Sequence, residues 1–166
     1  MVSPDNKDHH ERAYQLADDI VFRPMIVTDI PTVIAIEQDS FGEPWSAQSF
    51  VQELTENMLA KYIVVEFEQQ VIGYGGLWLI VDEAHVTNIA IHHDYRKQGL
   101  GTLLLRKLQH TAMYFGAKQM TLEVRVSNEV AQHLYEQHGF IAAGVRPGYY
   151  TDNNEDALIM WAELQP

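Results

Sequence analysis

The chain has 166 residues, 46% of them hydrophobic, which is enough for one well-buried core and requires no second domain. Its 23 acidic residues against 11 lysines and arginines give a formal net charge of -12, which argues against nonspecific nucleic-acid binding and is compatible with a cationic partner. The sequence has no cysteine, which excludes disulfides, thiol catalysis and a cysteine-based zinc site.

The N-terminal segment carries no predicted chemistry. Residues 1–18 are polar and charged with a short amphipathic pattern, so an ordered extension and a mobile tail both remain open. Residues 1–8 lack the apolar run of a signal peptide, and no stretch approaches the roughly 20 apolar residues that span a bilayer. We therefore expect a cytoplasmic protein without membrane contact, in which residues 19–166 form a single domain.

A strand and two short helices are the first predicted elements. Residues 20–25 fit a strand, and Asp29 is a good helix start, because the proline that follows is tolerated in the first turn and aspartate accepts free N–H groups. This helix should end near Phe41, and Ser46 is the expected N-cap of the second helix. The aromatic-bearing loop between the helices predicts a lid or one wall of a binding groove.

The next three strands are predicted to form an antiparallel meander. Residues 61–68 and 70–79 are rich in β-branched and aromatic side chains and are joined by a tight polar turn, which is typical of a hairpin. Residues 84–91 form a further strand after a short connection. Three glycines in the second strand weaken it or mark a close approach of the backbone: Gly73, Gly75 and Gly76.

The segment 88–102 predicts an anion site. A strand that contains Ile89, Ala90 and Ile91 leads into a glycine-containing turn, and the turn opens directly into a helix. Unpaired backbone N–H groups and the positive end of the helix dipole meet at such a point. Two cationic side chains and five further residues make up the turn: Arg96, Lys97, Gln98, Gly99, Leu100, Gly101 and Thr102.

A βαβ unit contains this turn. Residues 103–115 have helical spacing with Gly116 as a suitable stop, and residues 120–126 form a short apolar strand. A crossover of this size is right-handed, and its two strands are parallel. Residues 128–138 predict another helix, followed by two final strands.

These last strands are expected at residues 140–145 and 157–164, with a polar loop at residues 146–156.

Several segments, in this order along the chain, resemble the GNAT family of acetyl-CoA-dependent N-acetyltransferases. They are Asn-Ile-Ala-Ile at 88–91, Arg-x-x-Gly-x-Gly at 96–101, Leu-Glu-Val-Arg-x-Ser-Asn at 122–128, Leu-Tyr-Glu at 134–136 and Gly-Phe at 139–140. The resemblance covers nearly everything from about residue 20 onward. Three further segments resemble the branch that acetylates the N-terminal alanine of a ribosomal protein: Pro44-Trp45-Ser46, Asp82-Glu83-Ala84, and Tyr149-Tyr150 with Glu155-Asp156-Ala157.

The resemblance implies an α+β fold with a mixed, mostly antiparallel seven-stranded sheet, splayed between strands 4 and 5 and flanked by about four helices. It also implies that acetyl-CoA binds along one track. The pantetheine arm pairs with residues 89–91, the amide of Ile91 aids the carbonyl oxygen, and the pyrophosphate lies on the N–H groups of residues 98–102 beside Arg96 and Lys97. Asn128 and Tyr135 match further positions that contact the coenzyme.

Glu123 and Tyr135 match the catalytic positions of this branch. Glu123 is implied as the general base, acting directly or through water, and Tyr135 as the general acid for the thiolate. Without the motif, a solvent-facing strand glutamate and a core tyrosine fit equally. The implied acceptor groove contains Glu37, which suits a cationic peptide, together with three aromatic residues that fit packing roles as well: Trp45, Tyr149 and Tyr150.

Amine chemistry favours an N-terminal acceptor. An α-amino group has a pKa of about 7.7–8.0 and a lysine side chain about 10.4, so far more of the α-amine is free base near neutral pH. We expect acetylation of the α-amine, of Ala, Ser or Thr type, of a small-subunit ribosomal protein by a monomer or weak dimer. Alternatives are an N-acetyltransferase for a small-molecule amine or lysine, a non-catalytic coenzyme A-binding regulatory domain and a nucleotide-binding module.

We expect no metal. The eight histidines include no His-x-x-x-His pair, and the adjacent His92 and His93 would point apart in an extended strand.

Overall fold

The computed structural model describes residues 16–166, and the predicted seven-stranded mixed sheet is confirmed. The strand order is β1-β2-β3-β4-β5-β7-β6, and every neighbouring pair is antiparallel except β4 and β5. The strands are β1 (Val21–Pro24), β2 (Ala60–Phe67), β3 (Gln70–Ile80), β4 (Glu83–Ile91), β5 (Gln119–Arg125), β6 (Ile141–Tyr150) and β7 (Glu155–Glu163).

Four α-helices of eight or more residues flank the described part of the sheet: α1 (Ile30–Ser40), α2 (Ala47–Thr55), α3 (Leu100–Tyr114) and α4 (Glu129–Glu136). Single-turn 3₁₀ helices lie at Val27–Asp29 and His93–Tyr95, and residues 16–19 are helical. Most of the predicted extension, residues 1–15, lies outside the described residues. Within residues 16–166, no helix has the length and apolar character needed to cross a membrane.

Side chains along each strand point alternately to the two faces of the sheet, and a hydrophobic core lies on each face. In β2, the side chains of Ile63 and Val65 pack into one cluster, and those of Tyr62 and Val64 pack into the other. The first cluster lies under α3, which buries Leu100, Leu104, Leu105, Leu108 and Ala112. The second lies under α1 and α2. The two core clusters therefore pack the sheet between two layers of helices.

β4 and β5 pair only at their beginnings. Their register joins Glu83, Ala84 and His85 to residues 119–121, and no further pairs follow. Beyond His85 the two strands separate, as the splay predicted between strands 4 and 5 requires. The downstream half of β4 keeps β3 on one side and has no strand neighbour on the other within the described sheet.

Side-chain caps fix two of the helix starts. Ser46 accepts the N–H of Ser49 at 3.1 Å ahead of α2, and Asn128 accepts the N–H of Ala131 at 3.1 Å ahead of α4. The helix start predicted at Asp29 is confirmed, since Asp29 is the N-cap residue of α1, but its carboxylate makes no cap hydrogen bond. It accepts two hydrogen bonds from Arg23 at 2.7 Å and one from the N–H of Ile26, and the Arg23 guanidinium lowers the pKa of Asp29.

The polar loop predicted at residues 146–156 is wrong. β6 continues to Tyr150, and only residues 151–154 form the turn to β7. A register shift between Arg146 and Tyr150 places Pro147 and Gly148 in an irregular section of an edge strand. Proline and glycine are tolerated at such a bulge, so two turn-forming residues did not end the strand.

The close approach predicted at the glycines of β3 is confirmed at Gly76. A Cβ atom there would overlap the ring of Tyr62, whose hydroxyl is held by Thr87 at 3.0 Å and Glu53 at 3.3 Å. The ring therefore cannot move away without losing these contacts.

We predict that Gly76→Ala lowers the free energy of unfolding by about 1–3 kcal/mol through overpacking. Gly144→Ala is the matched control, since its Cβ would lie 3.7 Å from the nearest side-chain atom. Urea denaturation followed by circular dichroism measures both variants. Equal stability of Gly76→Ala and Gly144→Ala would show that the Tyr62 ring yields freely.

Candidate active site

The separation of β4 from β5 opens a cavity of about 590 Å³, here called the splay cavity. Its walls come from the two strands, the α1–α2 loop, α4 and the end of β6. Eight of the predicted site residues line it: Glu37, Trp45, Ile89, Glu123, Asn128, Tyr135, Tyr149 and Tyr150. Ala90, Ile91 and the turn at residues 96–102 lie outside its lining.

Glu123 projects from β5 into the wall of the splay cavity, and its side chain is only 11% exposed. His85 of β4 donates from Nε2 to Oε2 of Glu123 at 2.6 Å, and Arg146 Nε lies 3.3 Å from Oε1. Burial raises the pKa of the Glu123 carboxyl, but the interactions with His85 and with the Arg146 guanidinium outweigh it, and the net pKa is lowered. Glu123 is therefore ionised at neutral pH.

Tyr135 lies on α4, and its ring packs against Phe140 with centroids 5.7 Å apart. The residue is 7% exposed and lines the splay cavity. Burial raises the pKa of its hydroxyl well above the ordinary value, and the nearby Tyr150 raises the pKa further. The hydroxyl therefore keeps its proton at neutral pH and can donate it.

Glu37 of α1 is a buried acid on the opposite wall, with 1% exposure. Its carboxylate accepts the backbone N–H of Trp45 at 3.0 Å and the side-chain amide of Asn88 at 3.3 Å. Burial raises the pKa of Glu37, and these two hydrogen bonds oppose the rise. The Trp45 ring packs on Phe50 with centroids 5.5 Å apart, so Trp45 both packs in the core and lines the cavity.

Tyr149 and Tyr150 close the cavity from the end of β6, with their rings 5.1 Å apart in an edge-to-face arrangement. The guanidinium of Arg125 lies 4.0 Å from the centroid of the Tyr150 ring, and it also binds Asp152 at 2.8 Å. Tyr149 is 46% exposed, so it is available at the cavity mouth. Arg125 thus positions Tyr150, whose pKa is raised to about 12 mainly by burial.

The free edge of β4 presents alternate backbone groups to the splay. The N–H of His92 donates to Ile72 of β3 at 2.7 Å, so the alternation of an antiparallel pair directs the backbone of Ala90 toward β3 as well. Ile89 and Ile91 then direct their N–H and C=O groups away from β3. Arg96 Nε confirms this direction, because it binds the Ile91 carbonyl at 2.9 Å.

In the turn before α3, several backbone N–H groups without an intrahelical acceptor lie close together. Gly99 is the N-cap with φ +79°, and the first intrahelical bond runs from the N–H of Leu103 to the Gly99 carbonyl at 3.2 Å. The N–H groups of residues 100–102 therefore have no intrahelical acceptor. Lys97 has φ +62°, so two left-handed residues bend the chain just ahead of these amides. Such an arrangement suits an anion.

Not every residue of this turn has a side chain that is available to a bound anion. Leu100 is 2% exposed in the core, so only its backbone is available. Arg96 is held by its own chain, since Nη2 donates to Ser40 Oγ at 3.0 Å in addition to the contact with Ile91. Its side chain nevertheless remains 43% exposed. Asn128 uses Oδ1 for the α4 cap, which leaves its amide nitrogen for a ligand.

Sequence reasoning missed two polar residues of the cavity lining, His85 and Asn88, and also Arg146, which contacts Glu123. His85 and Glu123 lie 38 positions apart, and their contact follows from the short parallel register between β4 and β5. No local pattern signals that contact. Arg146 was predicted to lie in a loop, whereas it belongs to β6 and its Nε lies 3.3 Å from Oε1 of Glu123.

His92 and His93 do not point apart, because His92 follows the end of β4 and is the N-cap of a 3₁₀ turn instead of continuing an extended strand. Their rings stack with centroids 4.3 Å apart.

Comparison with known proteins identifies the fold and the family. The sequence profile of the acetyltransferase (GNAT) family matches residues 30–140, more than half of the chain. The chain belongs to the GNAT family. This GNAT protein is thus an N-acetyltransferase, and acetyl-CoA is the donor that its family uses.

Individual relatives cover most of this GNAT chain. The ribosomal protein bS18-alanine N-acetyltransferase of Escherichia coli (strain K12) is 38% identical over 137 residues, covering 80% of this chain and 90% of the relative. A Bacillus subtilis (strain 168) protein, provisionally assigned the same activity, is 46% identical over 142 residues, or 86% and 94% of the two chains. The crystal structure of the E. coli ribosomal-protein-S18-alanine N-acetyltransferase matches with a TM-score of 0.81 and 33% identity, covering 89% and 95%.

We predict that His85→Leu raises the pKa of the Glu123 carboxyl above its wild-type value, because burial then acts without the main opposing hydrogen bond. Carbon-detected NMR titration of the carboxyl measures the change. His110→Leu, on the exposed face of α3, is the control and should leave this pKa unchanged.

The stability of the wild-type protein should depend on pH in the way that the lowered pKa of Glu123 requires. Its Glu123 has a folded-state pKa below the ordinary 4.5, so ionisation stabilises the fold above that pH, and the contribution is lost as the pH falls through the folded-state pKa. An identical Glu123 pKa in wild type and His85→Leu would show that His85 does not hold the carboxylate.

Proposed function

We propose that this chain acetylates the N-terminal α-amine of a small-subunit ribosomal protein, bS18, which is the substrate named for its E. coli relative. The observation that carries the proposal is the ionised Glu123 carboxylate in the wall of the splay cavity, beside the free edge of β4. A proton acceptor at this place serves an amine that enters the cavity opposite a donor held on β4.

The residues of the chain fit coenzyme A. The orphan amides of residues 100–102 and the positive end of α3 suit the pyrophosphate, and Lys97 adds charge beside them. The outward backbone groups of Ile89 and Ile91 suit an extended amide-bearing arm, which would pair with β4 as an added strand. Ala90 supports this edge through β3. When bound, acetyl-CoA supplies an acetyl thioester whose transfer releases a thiol.

The catalytic roles follow from two pKa shifts of opposite sign. Glu123, ionised at neutral pH, accepts a proton from the incoming ammonium or amine at its carboxylate, directly or through one water. His85 and Arg146 keep that carboxylate oriented. Tyr135 keeps its hydroxyl proton and delivers it where a thiolate would depart. The N–H of Ile91, which points into the splay, is placed to polarise a carbonyl oxygen.

The acceptor groove runs past Glu37, Trp45, Tyr149 and Tyr150. A buried carboxylate on one wall and aromatic rings at the mouth suit a peptide with a cationic N-terminus. A single carboxylate base also suits an α-amine, whose pKa of about 7.7–8.0 leaves a useful fraction as free base, better than a lysine side chain at about 10.4.

A peptide panel tests the proposed acceptor. Purified protein, acetyl-CoA and peptides with the bS18 N-terminal sequence would be assayed by thiol release, with Ala, Ser, Thr, Met and Gly as first residue. Peptides with a blocked N-terminus and a free lysine serve as controls. We expect turnover of Ala-, Ser- or Thr-starting peptides and none with blocked ones. Preferential acetylation of lysine or of a small polyamine would overturn the proposal.

We predict that Glu123→Gln lowers kcat by about 10²–10⁴-fold with an Ala-starting peptide, because the proton acceptor is lost. Glu163→Gln, at the exposed end of β7, is the matched control and should leave kcat unchanged. Steady-state kinetics between pH 6 and 9 compares the variants. Glu123 would lose its assigned role if the two variants turned over equally well.

Tyr135→Phe should also lower kcat with little change in KM, since it removes one proton and keeps the ring. Tyr114→Phe, whose side chain is 84% exposed on α3, is its control. A thiolate leaving group of low basicity makes this effect smaller than that of Glu123→Gln. An unchanged kcat in Tyr135→Phe would exclude Tyr135 as the acid.

We predict that Gly99→Ala weakens coenzyme A binding at least about tenfold, because a Cβ at φ +79° strains the turn and displaces amides that bind charge. Gly116→Ala is the matched control. It has φ +91°, equally open surroundings and a place at the other end of α3, so it should lose similar stability and keep its affinity. Calorimetric titration with coenzyme A measures both, and equal affinities would contradict the anion site.

A further inference from the structure

A row of side chains crosses one face of the sheet and ends at Glu123. Trp78 of β3 pairs directly with His85 of β4 in the antiparallel register, so both side chains lie on the same face. Their ring centroids are 6.0 Å apart, and the interplanar angle is 55°. His85 in turn reaches Oε2 of Glu123 on β5 at 2.6 Å. Trp78 also lines the splay cavity, yet the acetyl transfer proposed above gives it no part.

The His85 imidazole is held by few polar contacts. Its bond to Glu123 is the one side-chain hydrogen bond that it makes among residues 16–166, and the side chain is 28% exposed. Rotation about the side-chain bonds of His85 would carry the ring away from the carboxylate. The Trp78 ring lies beside the imidazole, and an aromatic pair at this separation is attractive. Trp78 therefore limits where the imidazole can turn.

Glu53 of α2 fixes the Trp78 ring in turn. Its Oε2 accepts the indole N–H of Trp78 at 2.7 Å. The same oxygen accepts the hydroxyl of Tyr62 at 3.3 Å and the side-chain amide of Asn57 at 3.1 Å. Three donors on one oxygen leave the Glu53 side chain little freedom, so its bond to the indole sets the plane of the Trp78 ring.

We propose that Trp78 is a positioning residue, which holds His85 against the Glu123 carboxylate. Glu53 acts one step further out, because it orients the Trp78 indole. The inference rests on the proton-accepting role proposed for Glu123. A proton acceptor works only within hydrogen-bond reach of the amine, so a carboxylate that is free to rotate spends less time in the reactive position.

On its other side, Glu123 faces the side chains of β6. Arg146 Nε lies 3.3 Å from Oε1, and the hydroxyls of Tyr149 and Tyr150 are the further titratable groups that interact with this carboxylate. The Arg146 side chain is 55% exposed, against 28% for that of His85. A solvated guanidinium holds a partner only weakly. His85 is therefore the better fixed of the two neighbours, and its own support determines how firmly the carboxylate is held.

NMR titration of the Glu123 carboxyl tests this support without any need for turnover. Trp78→Leu should raise the pKa of Glu123 by at least about half of the rise in His85→Leu, since a mobile imidazole stabilises the carboxylate for less of the time. In the His85→Leu background, Trp78→Leu should cause no further rise, because no imidazole remains to be held. Trp161→Leu is the matched control and should leave this pKa unchanged. The Trp161 indole also donates to a side chain, Gln119 at 3.1 Å, but it lies outside the cavity lining.

Glu53 supplies a test in which charge and positioning act in opposite directions. Glu53→Met removes a negative charge, which by itself would lower the pKa of Glu123, whereas a released Trp78 ring should raise it. Glu53→Gln removes the same charge but keeps an oxygen for the indole N–H, so its Glu123 pKa should not rise. Both variants retain Trp78, so they decide the question even if Trp78→Leu does not fold.

Steady-state kinetics with an Ala-starting peptide separates positioning from substrate binding. Trp78→Leu should lower kcat at least about threefold with KM unchanged, and Trp78→Phe, which keeps a ring beside the imidazole, should retain most of the wild-type kcat.

The proposal is overturned if wild type, Trp78→Leu and Glu53→Met share one Glu123 pKa, or if Trp78→Leu raises that pKa by the same amount in the His85→Leu background. A higher KM with an unchanged Glu123 pKa would also overturn it and would make Trp78 a wall of the acceptor groove. Because the titration needs no substrate, a wild-type protein that turned over no peptide would contradict the proposed function and not this contact.

Discussion

The structure depends most on the place where β4 and β5 cease to pair. Up to His85 the two strands share a parallel register, and beyond it the hydrogen-bonding edge of β4 faces the splay cavity. Unpaired backbone in a protein interior needs a partner. The free N–H groups of Ile89 and Ile91, together with the orphan amides at the start of α3, suit the extended ligand with an anionic end that we propose.

The two residues proposed to carry the chemistry lie on the other side of the same opening. Because β5 diverges from β4, Glu123 faces the cavity rather than a neighbouring strand, and His85 can reach it across the last paired residues. Burial alone would raise the pKa of this carboxyl, and the contacts with His85 and Arg146 reverse the direction. No neighbouring group lowers the pKa of Tyr135, so its hydroxyl keeps its proton. The opposite shifts suit the two roles proposed here, proton acceptor for Glu123 and proton donor for Tyr135.

Local patterns predicted what depends on local chemistry. The cap at Ser46, the β2–β3 hairpin and the glycine turn before α3 were predicted from residue types and spacing, and the structure confirms them. Prediction failed where contacts between segments far apart in the sequence determine the structure. β6 passes through Pro147-Gly148 because an edge strand tolerates a bulge, and the His85–Glu123 pair exists only through a strand register that no local pattern contains.

Amide hydrogen exchange with and without coenzyme A tests the role of the splay most directly. The free edge of β4 should gain protection at Ile89 and Ile91, and the start of α3 at residues 100–102. Ala90, already directed toward β3, should change little. Alternating protection of this kind would support pairing of the coenzyme with β4. Unchanged exchange at Ile89 and Ile91, despite saturation with coenzyme A, would contradict it.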